Sequence, residues 1–254
     1  MHYSVCIPAV LNGLSIQDAM AAVHAAGFTH YEIWSWWDQD MKAYAEAQKK
    51  EGLTMAALCT PFISLTDPAC RQDYLEGLRR TIDMCHEMGC TTIISQLGQQ
   101  LPGVPRGRQH DSIVEGLKAC IPLLEAAKIT LVIEPLNTRI DHKGYYLWSA
   151  GEAFDIIDEV GSPWVKILYD MYHQYVMDDL KLAQILSHID QIGHFHMAGF
   201  PGRHEPFINS EVEYDALLPA IRKSGYSGSV GQEYFPVLPA AEGLKELHDK
   251  LAQL

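Results

Sequence analysis

Four short apolar runs in the second half of the chain each end in a residue able to hold a hard cation. Glu134 closes Leu-Val-Ile-Glu-Pro, Asp170 sits in Ile-Leu-Tyr-Asp-Met-Tyr-His, His196 in Gly-His-Phe-His-Met-Ala, and Glu233 in Val-Gly-Gln-Glu-Tyr. A carboxylate at the end of an apolar strand is costly to strip of water. Three brought together repel one another unless a cation or a shared proton intervenes. Singly, each has an ordinary explanation as a helix cap or a rim ion pair; jointly they argue for one divalent metal ion. Three carboxylates and one imidazole suit Mn²⁺, Mg²⁺ or Co²⁺, and the single nitrogen favours Mn²⁺ over Mg²⁺. His194 and His196 share a strand face two residues apart, so one strand cannot send both to the same point. The more C-terminal His196 is the ligand candidate, and His194, deeper, reads as a hydrogen-bonded core histidine.

A cation in such a site would polarise a carbonyl and an adjacent hydroxyl of a chelated substrate. Glu134 and Glu233 would then serve as an acid–base pair, one removing the proton on the neighbouring carbon and either one returning it through an enediolate. Return to the adjacent carbon is an aldose–ketose type isomerisation, and return to the opposite face of the same carbon is an epimerisation. Nearby residues supply substrate contacts. His173, three positions past Asp170, is placed to hydrogen-bond a substrate oxygen. Arg203, in Pro-Gly-Arg-His-Glu-Pro, could bind a substrate carboxylate or oxygen, or pair with Glu205. Gln96 ends the fourth strand-like run, and of the nearby Trp34, Trp36 and Trp37 we assign Trp36 to the pocket wall.

Elements that could bring these residues together are legible in the periodicity. Eight strand-like runs, His2–Pro8, Thr29–Ser35, Thr54–Pro61, Thr91–Gly98, Thr130–Asn137, Val165–His173, Ile192–Ala198 and Ser229–Pro236, alternate with amphipathic runs. The predicted helices are Ser15–Ala26, Gln39–Glu51, Arg71–Met88, Asp111–Ala127, Ala150–Glu159, Leu180–His188, Tyr214–Lys223 and Ala240–Gln253, with Ser15 and Asp111 as N-caps. Gly27, Gly52, Gly89 and Gly225 stand as helix stops. Strict alternation predicts a parallel sheet, and eight units within 254 residues predict one (β/α)8 barrel, an α/β TIM barrel, over residues 1–254. No Gly-x-Gly-x-x-Gly or Walker sequence follows a strand, which weakens an open nucleotide-binding sheet. Long non-periodic stretches follow strands at Gln99–Gln109, Thr138–Trp148 and Gly199–Glu213, on the side where such barrels carry their active sites.

Composition narrows the partners. The formal net charge is -13, and lysines and arginines are scattered, so no nucleic-acid partner is expected. No apolar run reaches the length of a membrane span, and the N-terminus reads as a strand and not as a signal peptide, so the expectation is a cytoplasmic enzyme without a membrane partner. The 6 cysteines include no Cys-x-x-Cys pair and are expected to be reduced. A homo-oligomer, dimer or tetramer, is expected.

The segments Ile-Glu-Pro-Leu-Asn (133–137), Tyr-Asp-Met-Tyr-His (169–173), Gly-His-Phe-His-Met-Ala (193–198), Pro-Gly-Arg-His-Glu-Pro (201–206) and Gly-Gln-Glu-Tyr (231–234) resemble the hydroxypyruvate isomerase family, within the xylose-isomerase-like sugar isomerases and epimerases. The resemblance covers nearly the whole chain in element order and is specific in the C-terminal half. It implies Glu134 and Glu233 as metal ligands and acid–base pair, with Asp170 completing the carboxylates and a small sugar or oxo-acid as substrate. Hydroxypyruvate isomerases tend to carry glutamine where His196 stands. Ketose 3-epimerases carry histidine there, with a histidine matching His173 and an arginine matching Arg203, so the chain mixes both patterns. Selectivity is expected to be decided in the stretch 137–146. Rival readings are a lyase or dehydratase using the same enediolate, a non-catalytic sugar-binding barrel, and an endonuclease of the endonuclease IV type. The last would need further histidines where this chain has Cys59-Thr60-Pro61 and Gln96.

Overall fold

The computed structural model describes residues 1–254. Eight parallel strands close into a barrel in chain order: β1 (His2–Cys6), β2 (His30–Glu32), β3 (Thr54–Cys59), β4 (Thr92–Ser95), β5 (Thr130–Ile133), β6 (Val165–Asp170), β7 (Ile192–Met197) and β8 (Ser229–Gln232). Pairing of β1 with β8 completes the ring and leaves no open edge. The helices are α1 (Ile7–Val10), α2 (Ile16–Ala25), α3 (Met41–Glu51), α4 (Arg71–Met88), α5 (Arg106–Ala127), α6 (Ala150–Val160), α7 (Met171–Val176), α8 (Leu182–Ser187), α9 (Tyr214–Lys223) and α10 (Ala240–Leu251). No helix is long and apolar enough to cross a membrane.

Local chemistry explains most boundaries. Ser15 accepts from the Asp18 N–H and Asp40 from the Ala43 N–H, capping α2 and α3. Gly52 and Gly89 end α3 and α4 in the left-handed region. Two expectations are corrected. Asp111 is not a cap: α5 begins at Arg106, directly after Pro105, so part of the expected loop is helix. The sixth strand does not run to His173. Asp170 ends it and accepts from the His173 N–H at 3.0 Å, starting α7 and placing His173 on a helix.

Side chains alternate between two environments. The outer faces of the strands pack against the helices in one large core containing Val5, Tyr31, Leu58, Ile93, Leu131, Ile167 and Phe195. Inside the barrel, Ala57, Cys59, Ile94, Val132 and Leu168 from β3 to β6 form a small apolar cluster. From β1, β2 and β7, Ser4, Glu32, His194 and His196 are instead buried polar residues in mutual contact. This polar sector lies beneath the functional site.

Candidate metal centre and active site

Strand register brings the expected ligands together. Asp170 on β6 pairs across from His196 on β7, which pairs with Gly231 on β8. Glu134 directly follows β5 and Glu233 directly follows β8, each still donating its backbone N–H to the neighbouring strand, at Ser95 and Met197. One ligand atom from each of Glu134, Asp170, His196 and Glu233 can be chosen so that all four lie within 4.8 Å of one another, and all four residues are buried. His196 Nδ1 lies 3.4 Å from Glu134 Oε1 and 3.5 Å from Glu233 Oε2. Both His196 Nδ1 and Glu134 Oε1 are buried without a hydrogen-bond partner. Unsatisfied buried polar atoms that converge on one point are what a cation site requires.

Electrostatics point the same way. Burial, with Glu134 and Glu233 close by, pushes the Asp170 carboxyl up to about 7 against the pull of Arg203 and His196. Burial alone would make His196 hard to protonate, yet Glu233, Glu32 and Glu134 together carry its pKa well above the usual histidine value. For Glu233, burial favours the neutral acid, but Arg203, His196 and Trp34 outweigh it and hold the carboxyl below the usual carboxylate range. The indole N–H of Trp34 donates to Glu233 Oε1 at 2.6 Å, and Arg203 Nη2 donates to Glu233 Oε2.

Glu32 was not among the residues expected at the site. It ends β2, is buried, and places Oε2 2.9 Å from His196 Nε2 and 3.2 Å from His194 Nε2, while its Oε1 accepts from the Ser4 hydroxyl. Burial opposes its charge, but His194 and His196 together hold the carboxyl well below its ordinary range. A carboxylate can only accept here, so Glu32 keeps a proton on His196 Nε2, and Nδ1, which faces Glu134 and Glu233, is the nitrogen that would ligate a cation on giving up its own proton. Gly231 makes room: a Cβ there would stand 2.2 Å from Glu32 Oε1 and 2.6 Å from His196 Cδ2. The criterion that singled out the candidate ligands, a carboxylate at a strand end, also fits Glu32. Its distance in sequence from the C-terminal motifs hid it. His194 stays in this polar layer and off the four-ligand point, as expected.

The ligand point opens into a cavity of about 600 Å³, within the range of small-molecule sites. Gln96, His173 and Arg203 line it as expected, together with Glu134, His196 and Glu233. Trp36 does not. Its indole N–H donates to Thr81 on α4 at 3.2 Å, so it packs outward, and Trp34 is the tryptophan on the cavity wall. Because β2 ends after three residues, parity extrapolated past Glu32 holds for residue 34 and fails at 36. The Arg203–Glu205 pairing is not formed either. Glu205 instead accepts from the backbone N–H groups of Val237 and Leu238, tying down the loop after β8. His142, Tyr145, Phe62 and Phe235 also line it, the first two from the stretch expected to decide selectivity.

Comparison with known proteins agrees with this architecture. The family model described as xylose isomerase-like TIM barrel matches residues 20–254, and the chain belongs to that family. Over 178 residues it is 32% identical to hydroxypyruvate isomerase of Escherichia coli, covering 70% of this chain and 68% of the relative. Over 177 residues it is 30% identical to 2-oxo-tetronate isomerase of Cupriavidus necator, covering 70% and 67%. Among solved structures, an AP endonuclease, family 2, from Brucella melitensis superposes with a TM-score of 0.91 at 24% identity, over 98% of this chain and 99% of that one. D-allulose 3-epimerase from Methylomonas sp. superposes with a TM-score of 0.81 at 16% identity, over 100% and 96%. At these identities the structural likenesses speak for the fold alone.

Proposed function

We propose that this protein is a divalent-metal-dependent isomerase or epimerase of small α-hydroxy-carbonyl compounds, carried by one barrel over residues 1–254. The observation that carries the reading is the convergence of Glu134, Asp170, His196 and Glu233 on one buried point that opens into the cavity. The four-donor set fits a single hard or borderline cation, Mn²⁺ before Mg²⁺ or Co²⁺, and when bound it would supply Lewis acidity to a carbonyl and its neighbouring hydroxyl.

The chain's own residues do the rest. Glu233 is held as a carboxylate by Arg203 and Trp34, ready to accept a carbon-bound proton. Glu134, across the ligand point, is the partner that delivers or receives the second proton. Trp34, Phe62, Leu136 and Phe235 present apolar surface to the cavity beside these groups. Arg203 is the one Lys or Arg on that wall and already pairs with Glu233, so a substrate carboxylate would have to share it.

The test is a panel of three- to six-carbon ketoses, aldoses and 2-oxo-acids incubated with the protein and Mn²⁺ in D₂O and followed by NMR. The isomerase names of the curated relatives put hydroxypyruvate and 2-oxo-tetronate first, and the cavity volume adds longer ketoses. Deuterium appearing in an isomer or epimer of the starting compound is expected. Product lighter by one water would establish a lyase instead, and no exchange with any compound would overturn the catalytic reading.

A further inference from the structure

We propose that Asn137 is a positioning residue that fixes His173 as a neutral imidazole with its proton on Nε2, aimed into the cavity as a hydrogen-bond donor to a substrate oxygen. The proposal rests on reading this cavity as the reaction site.

Backbone groups decide the orientation of the amide. The N–H groups of Ile140 and Asp141 lie 3.1 and 3.0 Å from Asn137 Oδ1. Only an oxygen can receive them, so the amide cannot be turned over. Its Nδ2 therefore faces His173 Nδ1 at 2.6 Å and Asp141 Oδ2 at 2.6 Å. An amide nitrogen has only protons to offer, one in each direction, so Nδ1 must accept and carries none. The proton of the neutral ring is then on Nε2. That atom is buried without a hydrogen-bond partner, 3.6 Å from Asp170 Oδ2, in a residue that lines the cavity. A doubly protonated ring would set N–H against N–H at Asn137.

The anchor extends one step further. Tyr172 donates its hydroxyl to Asp141 Oδ2 at 3.0 Å, fixing the carboxylate that holds the far proton of the Asn137 amide. The chain Tyr172–Asp141–Asn137–His173 leaves α7, crosses the loop after β5 and returns to α7. A neutral imidazole N–H gives up its proton reluctantly. It therefore serves to steady oxygen charge as a proton leaves the neighbouring carbon, and not to transfer a proton itself.

The tautomer is read directly in the full-length, resting, metal-free protein. Histidine is labelled with ¹⁵N, long-range ¹H–¹⁵N correlation spectra are recorded, and the His173 peaks are identified by their loss in His173→Gln. The wild-type ring is expected to carry its proton on Nε2. Asn137→Asp keeps an oxygen for the two backbone N–H groups but sets a second oxygen against Nδ1, and is expected to move the proton to Nδ1. A wild-type ring protonated on Nδ1, or an Asn137→Asp ring unchanged, overturns the proposal. Should Asn137→Asp fail to fold, the wild-type spectrum still decides. Asn137 hydrogen-bonds to none of the four candidate ligands, so Mn²⁺ affinity measured by calorimetry is expected to stay within a few-fold in Asn137→Asp. On any compound of the panel that turns over, kcat is expected to fall about 10²–10³-fold, as for loss of one oxyanion donor. Absence of turnover by the wild type would count against the proposed function, whereas the tautomer, measured without substrate, decides this proposal separately.

Discussion

Glu233 receives the Trp34 indole and the Arg203 guanidinium before any substrate arrives, while Glu134 Oε1 has no donor at all. The two glutamates are thus chemically unlike, as an acid–base pair should be. Replacing either by glutamine is expected to lower kcat by about 10²–10⁴-fold, the usual contribution of a positioned acid–base group, with the circular dichroism spectrum unchanged. Retention of full activity in Glu134→Gln would remove it from the mechanism. Trp34 and Trp36 give a paired contrast. Trp34→Phe removes a donor to Glu233 and is expected to change kcat/KM, whereas Trp36→Phe loses a bond to Thr81 and is expected to leave kcat and KM alone while lowering thermal stability. Glu32 reaches the site only through His196. Glu32→Ala is expected to weaken Mn²⁺ binding about 10–100-fold, the typical cost of losing the carboxylate behind a ligating histidine. Isothermal titration of the purified variant measures this, and unchanged affinity would relegate Glu32 to a structural ion pair.

At the scale of elements, the polar layer under the site depends on how closely the backbone of β8 lies to the Glu32 side chain, which reaches over from β2 on the far side of β1. Gly231 allows that approach, and a methyl group there meets the carboxylate of Glu32 and the ring of His196 at once. Gly231→Ala is therefore expected to destabilise the fold by roughly 1–3 kcal/mol, the usual penalty for overpacking, and to weaken Mn²⁺ binding by tilting His196. Chemical denaturation and titration calorimetry read the two effects separately; a variant as stable as wild type would show that Glu32 can shift at little cost. The start of α7 joins structure to chemistry in a similar way. Asp170 uses Oδ1 to cap the helix at the His173 N–H, while its Oδ2 lies 3.6 Å from His173 Nε2. One side chain thus sets both the end of β6 and the position of the histidine that follows.

For the whole molecule, folding collects three buried carboxylates and a histidine at one end of a closed barrel. Arg203 and His196 offset part of their mutual repulsion, and a bound cation would relieve the rest, so binding and stability are linked. Saturating Mn²⁺ at about 100 times its Kd should add roughly 2.7 kcal/mol. For a chain of this size that corresponds to a Tm about 5–10 °C higher. Differential scanning fluorimetry with EDTA and with Mn²⁺, Mg²⁺ or Co²⁺ in turn would order the metals by their stabilisation. A Tm indifferent to all three would remove the cation from the account.

The fold was legible because it is written in local periodicity: short apolar runs alternate eight times with amphipathic ones, and a closed parallel barrel is the arrangement that buries both faces. The candidate ligands Glu134, Asp170, His196 and Glu233 were legible because a polar or charged residue ending an apolar strand is a local signature of cost. Tertiary structure alone decided which polar groups face one another across the barrel. That choice made Glu32 the partner of His196, turned Trp36 outward and Trp34 inward, gave Arg203 to Glu233 instead of Glu205, and set Asn137 against His173. Each of these depends on distances of a few ångströms between residues far apart in the chain, or on where a strand stops. Hydrogen bonds and ion pairs change character over such distances, and no one-dimensional pattern records them.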